Sequence, residues 1–346
     1  MKNILALSVL LICQFSLTAQ PAGAVVEWNE KSSHLVVTSG QVLTDATAVA
    51  VGGGHCLALK NDGTVVGWGW NFFGQATGVR SDPSKDGSDK ASGLVTIDGQ
   101  VLSNVTAVAA GRMQSVAVKN DGTIVIWGVD EVGRKIDPPR DLTNAIAVSA
   151  GWEHLLVLKK DGTVITLGTT KQPPNNLSNV VGIVAGKGYG FGAFGNDLAL
   201  KNDGSVIDWG LRGMDRESDQ LKALTNITAI ASSGATSFAL TRDGKVFGWG
   251  INDLGQTTGV PTTNSLASGF VSINGELLSN VLSITAGENS SLALKKDGTV
   301  VLWGNNTARL PKVPNGLSNV VAIATGDYFS LAITTNPVVA ERFRRK

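Results

Sequence analysis

The chain has 346 residues, of which only 16% are charged, and a formal net charge of +1. Its length exceeds that of a small stapled domain and suffices for a large core. The near-neutral charge gives no electrostatic reason to expect nucleic acid or an anionic membrane as partner, and 42 glycines with few charges suit a β-rich chain with many tight turns.

Residues 1–24 read as a secretory signal. Lys2 supplies the positive start, and Ile4 to Ala19 is largely apolar. Ala22-Gly23-Ala24 offers a small-x-small cleavage site, with Ala19 as a second candidate. The apolar run is short for a spanning helix, and no basic stop-transfer cluster follows it. The expected location is therefore secreted or periplasmic, with no membrane span once the signal is removed. Cys13 leaves with the signal, and Ile12 beside it is too bulky for a lipoprotein signal. Cys56 is then without a disulfide partner in the chain, and its apolar run Cys56-Leu57-Ala58-Leu59 marks it as a buried, inert thiol.

From Thr44 onward one unit keeps returning, with starts at Thr44, Asn104, Asn144, Asn179, Asn226, Asn280 and Asn319. In the clearest copy Val105 to Ala110 is one β-prone run and Ser115 to Lys119 a second. Asn120-Asp121-Gly122 turns the chain, and Thr123 to Trp127 is a third run. Three short antiparallel strands joined by tight turns make most of a propeller blade. The Asp-Gly pair is followed by Trp-Gly at Trp68, Trp127, Trp209, Trp249 and Trp303, while Leu167 takes that place after Asp161. The shared strand position of these indoles predicts packing between blades.

The last unit ends differently. After Ser330-Leu331-Ala332-Ile333 stands Asn336-Pro337, with no Trp-Gly strand beyond. The missing piece lies near the other end, as Val25-Val26-Glu27-Trp28-Asn29. The fold class expected is all-β, a seven-bladed β-propeller over residues 25–336 closed by pairing the N-terminal strand with the C-terminal blade. Residues 337–346 form a short basic tail. Three matched segments, 34–43, 93–102 and 269–278, centre on Ser39-Gly40, Asp98-Gly99 and Asn274-Gly275. They read as small hairpins at the blade periphery.

The Leu-Ala-Leu-Lys-x-Asp-Gly-x-Val run at 57–65, 198–206 and 292–300 resembles the regulator of chromosome condensation repeat family. So does Trp-Gly-x-Asn-x-x-Gly-Gln, complete at Trp68 to Gln75 and Trp249 to Gln256. The resemblance covers nearly the whole chain after the signal and implies a seven-bladed propeller. The family's namesake is a nuclear nucleotide-exchange factor for a small GTPase that touches chromatin; a secretion signal and a near-neutral charge argue against that role. The better comparison is with bacterial secreted members, including a propeller-type β-lactamase inhibitor, which binds an enzyme with loops on one face of the disk.

Residues suggestive of chemistry have plainer readings. His55 and His154 occupy equivalent positions in different blades, so they lie on a ring instead of converging as metal ligands must. The six repeated Asp residues sit in six separate turns, and turn formation explains them. Gly188-x-Gly190 has neither a following helix nor Gly-Lys-Ser/Thr, so no phosphate loop is read there. No catalytic residue, cofactor or metal is expected. The chain is read as a monomeric, non-catalytic binding scaffold for a protein or a cell-surface glycan. The alternative is an inhibitor or regulator of a secreted or periplasmic enzyme, and less so a propeller hydrolase or lyase. The seven turns after the first strands share one face around the central channel, and they vary on a fixed frame. The candidate binding residues are Arg112, Trp152, Glu153, His154, Tyr189, Phe191, Glu288, Asp327 and Tyr328.

Overall fold

The computed structural model describes residues 21–336 apart from 83, 85–87, 131, 169–171, 189–195, 210–222, 235, 264–265, 288–289 and 305–311. The segments expected to be signal and basic tail thus lie outside the described residues, save positions 21–24 of the former. Among the described residues, seven antiparallel sheets of three or four strands form the blades of a propeller, with three two-stranded hairpins beside them. Blade 2 is the plainest: Val105–Ala110, Gln114–Lys119 and Ile124–Gly128 follow one another as a meander. The first strand of every blade lines a narrow central channel, filled mostly by Val, Ala and Ser. Among the described residues no helix is long and apolar enough to cross a membrane.

Local chemistry explains the repeat. In blade 2 the Asp121 carboxylate accepts the Thr123 N–H at 3.0 Å and its hydroxyl at 2.6 Å. The same Asx geometry recurs at Asp62, Asp161, Asp203 and Asp297. These bonds to Thr or Ser hold each carboxyl below its usual range. The turn also stitches the ring: the Gly63 carbonyl accepts the Val105 N–H of the next blade at 3.0 Å, and Gly122 does so from Ala145 at 3.0 Å. The Asn that opens several units has positive φ, as at Asn104 (59°) and Asn280 (57°), a region that Asn tolerates better than most side chains.

Ring closure follows the expected pairing. Ala24–Trp28 pairs antiparallel with Ser330–Thr334, with Trp28 opposite Ser330 and Ala24 opposite Thr334. The strand begins one residue inside the expected signal, and Gly23 exchanges backbone bonds with Ala46 of blade 1. Gly23 and Ala24, at the end of the segment read as a signal, are therefore paired into the ring.

The repeated tryptophans pack between blades. Each lies in a cluster with the preceding blade, as Trp127 does with Leu57, Leu59 and Val65. Three also donate across the gap: Trp68 to Glu27 at 2.6 Å, Trp127 to the Gln75 carbonyl at 2.9 Å, and Trp249 to Asp208 at 2.9 Å. Cys56 is a buried free cysteine whose thiol is pushed up by burial.

The three matched segments do form hairpins, at Val37–Thr38 with Gln41–Val42, Thr96–Ile97 with Gln100–Val101, and Ser272–Ile273 with Glu276–Leu277. Ser39, Asp98 and Asn274 have φ near 50° and precede glycines near 80°, the primed turn that such hairpins need. Their first residues belong elsewhere, however. Ser33–Leu35, Lys90–Leu94 and Leu266–Phe270 are fourth strands of blades 7, 1 and 5. No turn residue separates outer strand from hairpin, so the two read as one segment in the sequence.

The two complete Trp-Gly-x-Asn-x-x-Gly-Gln copies also carry a Gly before the Trp, at Gly67 and Gly248. The Asn71 carboxamide organises the loop beyond, accepting the Ala76 N–H at 2.9 Å and donating to the Val79 carbonyl at 2.6 Å. This loop folds back onto the strand so closely that a Cβ on Gly67 would sit 1.8 Å from the Ala76 carbonyl oxygen. Gly67→Ala is expected to cost about 3 kcal/mol by overpacking. Urea denaturation would check this, and an unchanged midpoint would show that the loop moves away freely.

Candidate functional site

The turns between first and second strands gather at one mouth of the channel. Most start with a glycine lying against the next blade, Ser233 taking that place in blade 5: a Cβ on Gly52 would come within 2.4 Å of the Gly111 carbonyl oxygen, and one on Gly111 within 2.4 Å of that of Gly151. In blades 1 to 4 the residue at the start of the second strand then reaches sideways. His55 Nε2 lies 2.8 Å from Ser115 Oγ, and Gln114 Nε2 donates to the Trp152 carbonyl at 3.2 Å. His154 Nε2 lies 2.7 Å from Asp197 Oδ1, and Asn196 donates to Ser237 at 3.4 Å. Side chains that differ from blade to blade thus perform one task in blades 1 to 4, tying each to the next. Burial and the nearby Lys187 charge lower the His55 pKa from 6.5 to about 3.

The candidate binding residues separate on this frame. Trp152 is 4% exposed and His154 is 5% exposed. Both were expected to face a partner, and the structure corrects that. His154 is held by Asp197, and the Arg112 guanidinium lies over the Trp152 ring, 4.9 Å from its centroid. Packing of each turn beneath its neighbour removes them from the surface. Arg112 and Glu153 are half-buried. Tyr328 is 62% exposed. Tyr189, Phe191 and Glu288 lie outside the described residues.

Asp327 is half-buried beside this mouth, and its Oδ1 has no hydrogen-bond partner among the described residues. Burial raises its pKa, against the opposing charges of Lys187 and Arg112. Lys187 reaches across the ring, donating from Nζ to the Val51 carbonyl at 2.9 Å. Among the described residues no three His, Cys, Asp or Glu side chains gather as a metal set would require.

The same face carries a groove that the sequence reading missed. It lies between blades 7 and 1, has a volume of about 810 Å3, and is lined by Glu27, Trp68, Trp70, Lys90, Tyr328 and Phe329 among others. Trp70 is 59% exposed, and its backbone N–H donates to the Gly54 carbonyl in the blade 1 turn at 2.8 Å. The neighbouring Phe72 is 51% exposed. A signal was present: Ile251 and Val129 stand where blade 1 has the much larger Trp70.

The family model described as the regulator of chromosome condensation (RCC1) repeat matches residues 46–75, 227–256 and 281–308, within blades 1, 5 and 6. The chain is similar to protein pim1 of Schizosaccharomyces pombe, at 25% identity over 83% of this chain and 57% of that protein. It is similar to the mitochondrial RCC1 domain-containing protein RUG3 of Arabidopsis thaliana, at 26% identity over 74% of this chain and 53% of that protein. It thus spans little more than half the length of these two curated relatives. The crystal structure of Prp20p from Saccharomyces cerevisiae, studied for its binding to Gsp1p and histones, superposes with a TM-score of 0.67. That alignment covers 98% of this chain and 96% of Prp20p at 18% identity. The likeness is one of fold.

Proposed function

We propose that this RCC1-repeat propeller is a secreted, non-catalytic scaffold that binds a partner protein through the face bearing Tyr328 and Trp70. Fold alone does not assign a function. The observation that carries the reading is the pair of large exposed aromatic rings, 59% and 62% exposed, that line one groove on this face. Aromatic side chains on a rigid frame are the usual anchors of protein interfaces. The binding of Gsp1p and histones studied for Prp20p is consistent with a propeller of this type acting on proteins.

Export supplies the compartment. Because Gly23 and Ala24 are paired in the closing sheet, cleavage after Ala19 leaves that sheet whole, whereas cleavage after Ala24 removes two of its residues. The exported protein is expected to begin at Gln20. Intact-mass measurement on the protein recovered outside the cytoplasm checks this. Retention with an uncut leader, or a start at Val25, would contradict it. For the binding face, tagged protein should capture a partner from the native envelope and medium fractions. A Trp70→Ala/Tyr328→Ala variant should lose that partner while melting as the parent does. Undiminished capture by the variant would move the site elsewhere.

A further inference from the structure

We propose that the groove between blades 7 and 1 is a subsite for a cationic side chain of the partner protein, specifically an arginine guanidinium. The inference rests on the reading of this face as a protein-binding surface and specifies the chemistry that it accepts.

The groove has an aromatic rim and an acidic interior. Trp70 and Tyr328 are exposed aromatic residues of the rim, which Val37 and Lys90 share. The Trp70 indole is backed by chain: a Cβ on Gly54 would come within 3.2 Å of its ring atoms. One ring face is therefore supported by the Gly54 backbone, and the ring remains 59% exposed elsewhere. Deeper in, Glu27 is only 7% exposed although it lines the groove. Its Oε2 accepts the Trp68 indole N–H at 2.6 Å, and its Oε1 faces the exposed His34 imidazole at 3.8 Å. That hydrogen bond fixes the carboxylate in place beside the rings.

These features together select a cation. An aromatic face attracts positive charge through its quadrupole, and more strongly where water is excluded. A nearly buried carboxylate gains from a charged donor and repels an anionic one. Lys90 shares the rim but is exposed, so solvent and salt screen its charge. A neutral sugar could stack on Trp70 or Tyr328 but would bring no positive charge to Glu27. Arginine fits better than lysine, because its planar fork both stacks on an indole and meets a carboxylate with two N–H groups. The molecule makes the same stack on the same face, where Arg112 covers Trp152 at 4.9 Å.

The test is a titration of the whole propeller with Nα-acetyl-arginine methylamide, followed through the indole N–H resonances of Trp70 and Trp68. The citrulline counterpart supplies a neutral isostere, and methyl β-glucoside a neutral stacking ligand. A saturable shift is expected with the arginine probe, with at least fivefold weaker binding of the citrulline probe. Glu27→Gln keeps an acceptor for Trp68 and should weaken the arginine probe about tenfold. Tyr328→Ala and Trp70→Ala, both at exposed positions, should abolish the saturable shift of Trp68. Equal binding of arginine and citrulline probes, saturation by the glucoside in their place, or indifference to Glu27→Gln and Tyr328→Ala would each overturn the proposal. A silent arginine titration alongside partner capture that depends on Trp70 and Tyr328 would overturn this subsite and leave the binding-face reading intact. A Glu27-dependent arginine response alongside capture that ignores both residues would support the subsite and overturn the wider reading.

Discussion

Trp28→Ala is expected to lower stability by about 3–5 kcal/mol. Trp28 is 1% exposed and belongs to a cluster with Leu35, Leu292, Leu294 and Ile323. These partners come from blades 7 and 6, so the indole fills the gap between the last two blades of the ring. Its Nε1 has no hydrogen-bond partner among the described residues, and the loss is one of packing. Removing Gly23 to Asn29 should be worse. Ala24–Trp28 lies between Ser330–Thr334 and Ser33–Leu35 in the sheet. Its loss would expose the edge of the inner pair and strand the outer one. Urea denaturation of the two variants checks both statements, with Trp70→Ala as an exposed control expected to stay within about 0.5 kcal/mol of the parent. Denaturation midpoints equal to the parent's for Trp28→Ala would mean that the ring does not depend on this strand.

A second large effect is expected in the response to acid. His55 is fully buried, hydrogen-bonded to Ser115, and titrates near 3 when folded against 6.5 ordinarily. As pH falls below 6.5, the unfolded chain takes up a proton that the folded chain refuses. Stability linked to His55 is therefore complete above about pH 6.5 and lost progressively between there and about pH 3, at about 1.4 kcal/mol per pH unit. Two other groups titrate nearby. Asp327, raised by burial, acts in the opposite direction, adding stability as pH falls through its folded value. The turn aspartates, held low by their Thr or Ser partners, lose their contribution only below the ordinary carboxylate range. Comparison with His55→Gln cancels both, and glutamine already holds the equivalent position at Gln114. The parent should lose a few kcal/mol more than His55→Gln between pH 7 and pH 4. Parallel stability curves for the two proteins over that range would refute the assignment.

The acid effect shows what a variable position can conceal. His55, Gln114, His154 and Asn196 differ in chemistry, yet each bridges to the following blade. Sequence variation on a repeated frame was read as freedom for binding. In blade 3 it instead marks a different solution to the same bridging problem, which is why Trp152 and His154 are interior.

The sequence by itself determined the repeat, its turn chemistry, the hairpins and the closure of the ring. These features depend on short-range physics: Asp and Thr two residues apart close a turn, Asn or Asp before Gly accepts positive φ, and a strand missing at one end is legible in a copy at the other. Only the tertiary structure decided which face residues meet solvent. Exposure at a turn is set by the neighbouring blade, roughly 40 residues away in a repeat of this kind, and no local pattern records it. The groove is the clearest case. Glu27, Trp70 and Tyr328 are far apart in sequence and come from the strand that closes the ring and the blades on either side of its seam. Their meeting follows from closure, and the burial of one beside the exposure of the other two follows from how far each stands from the packed interface between blades.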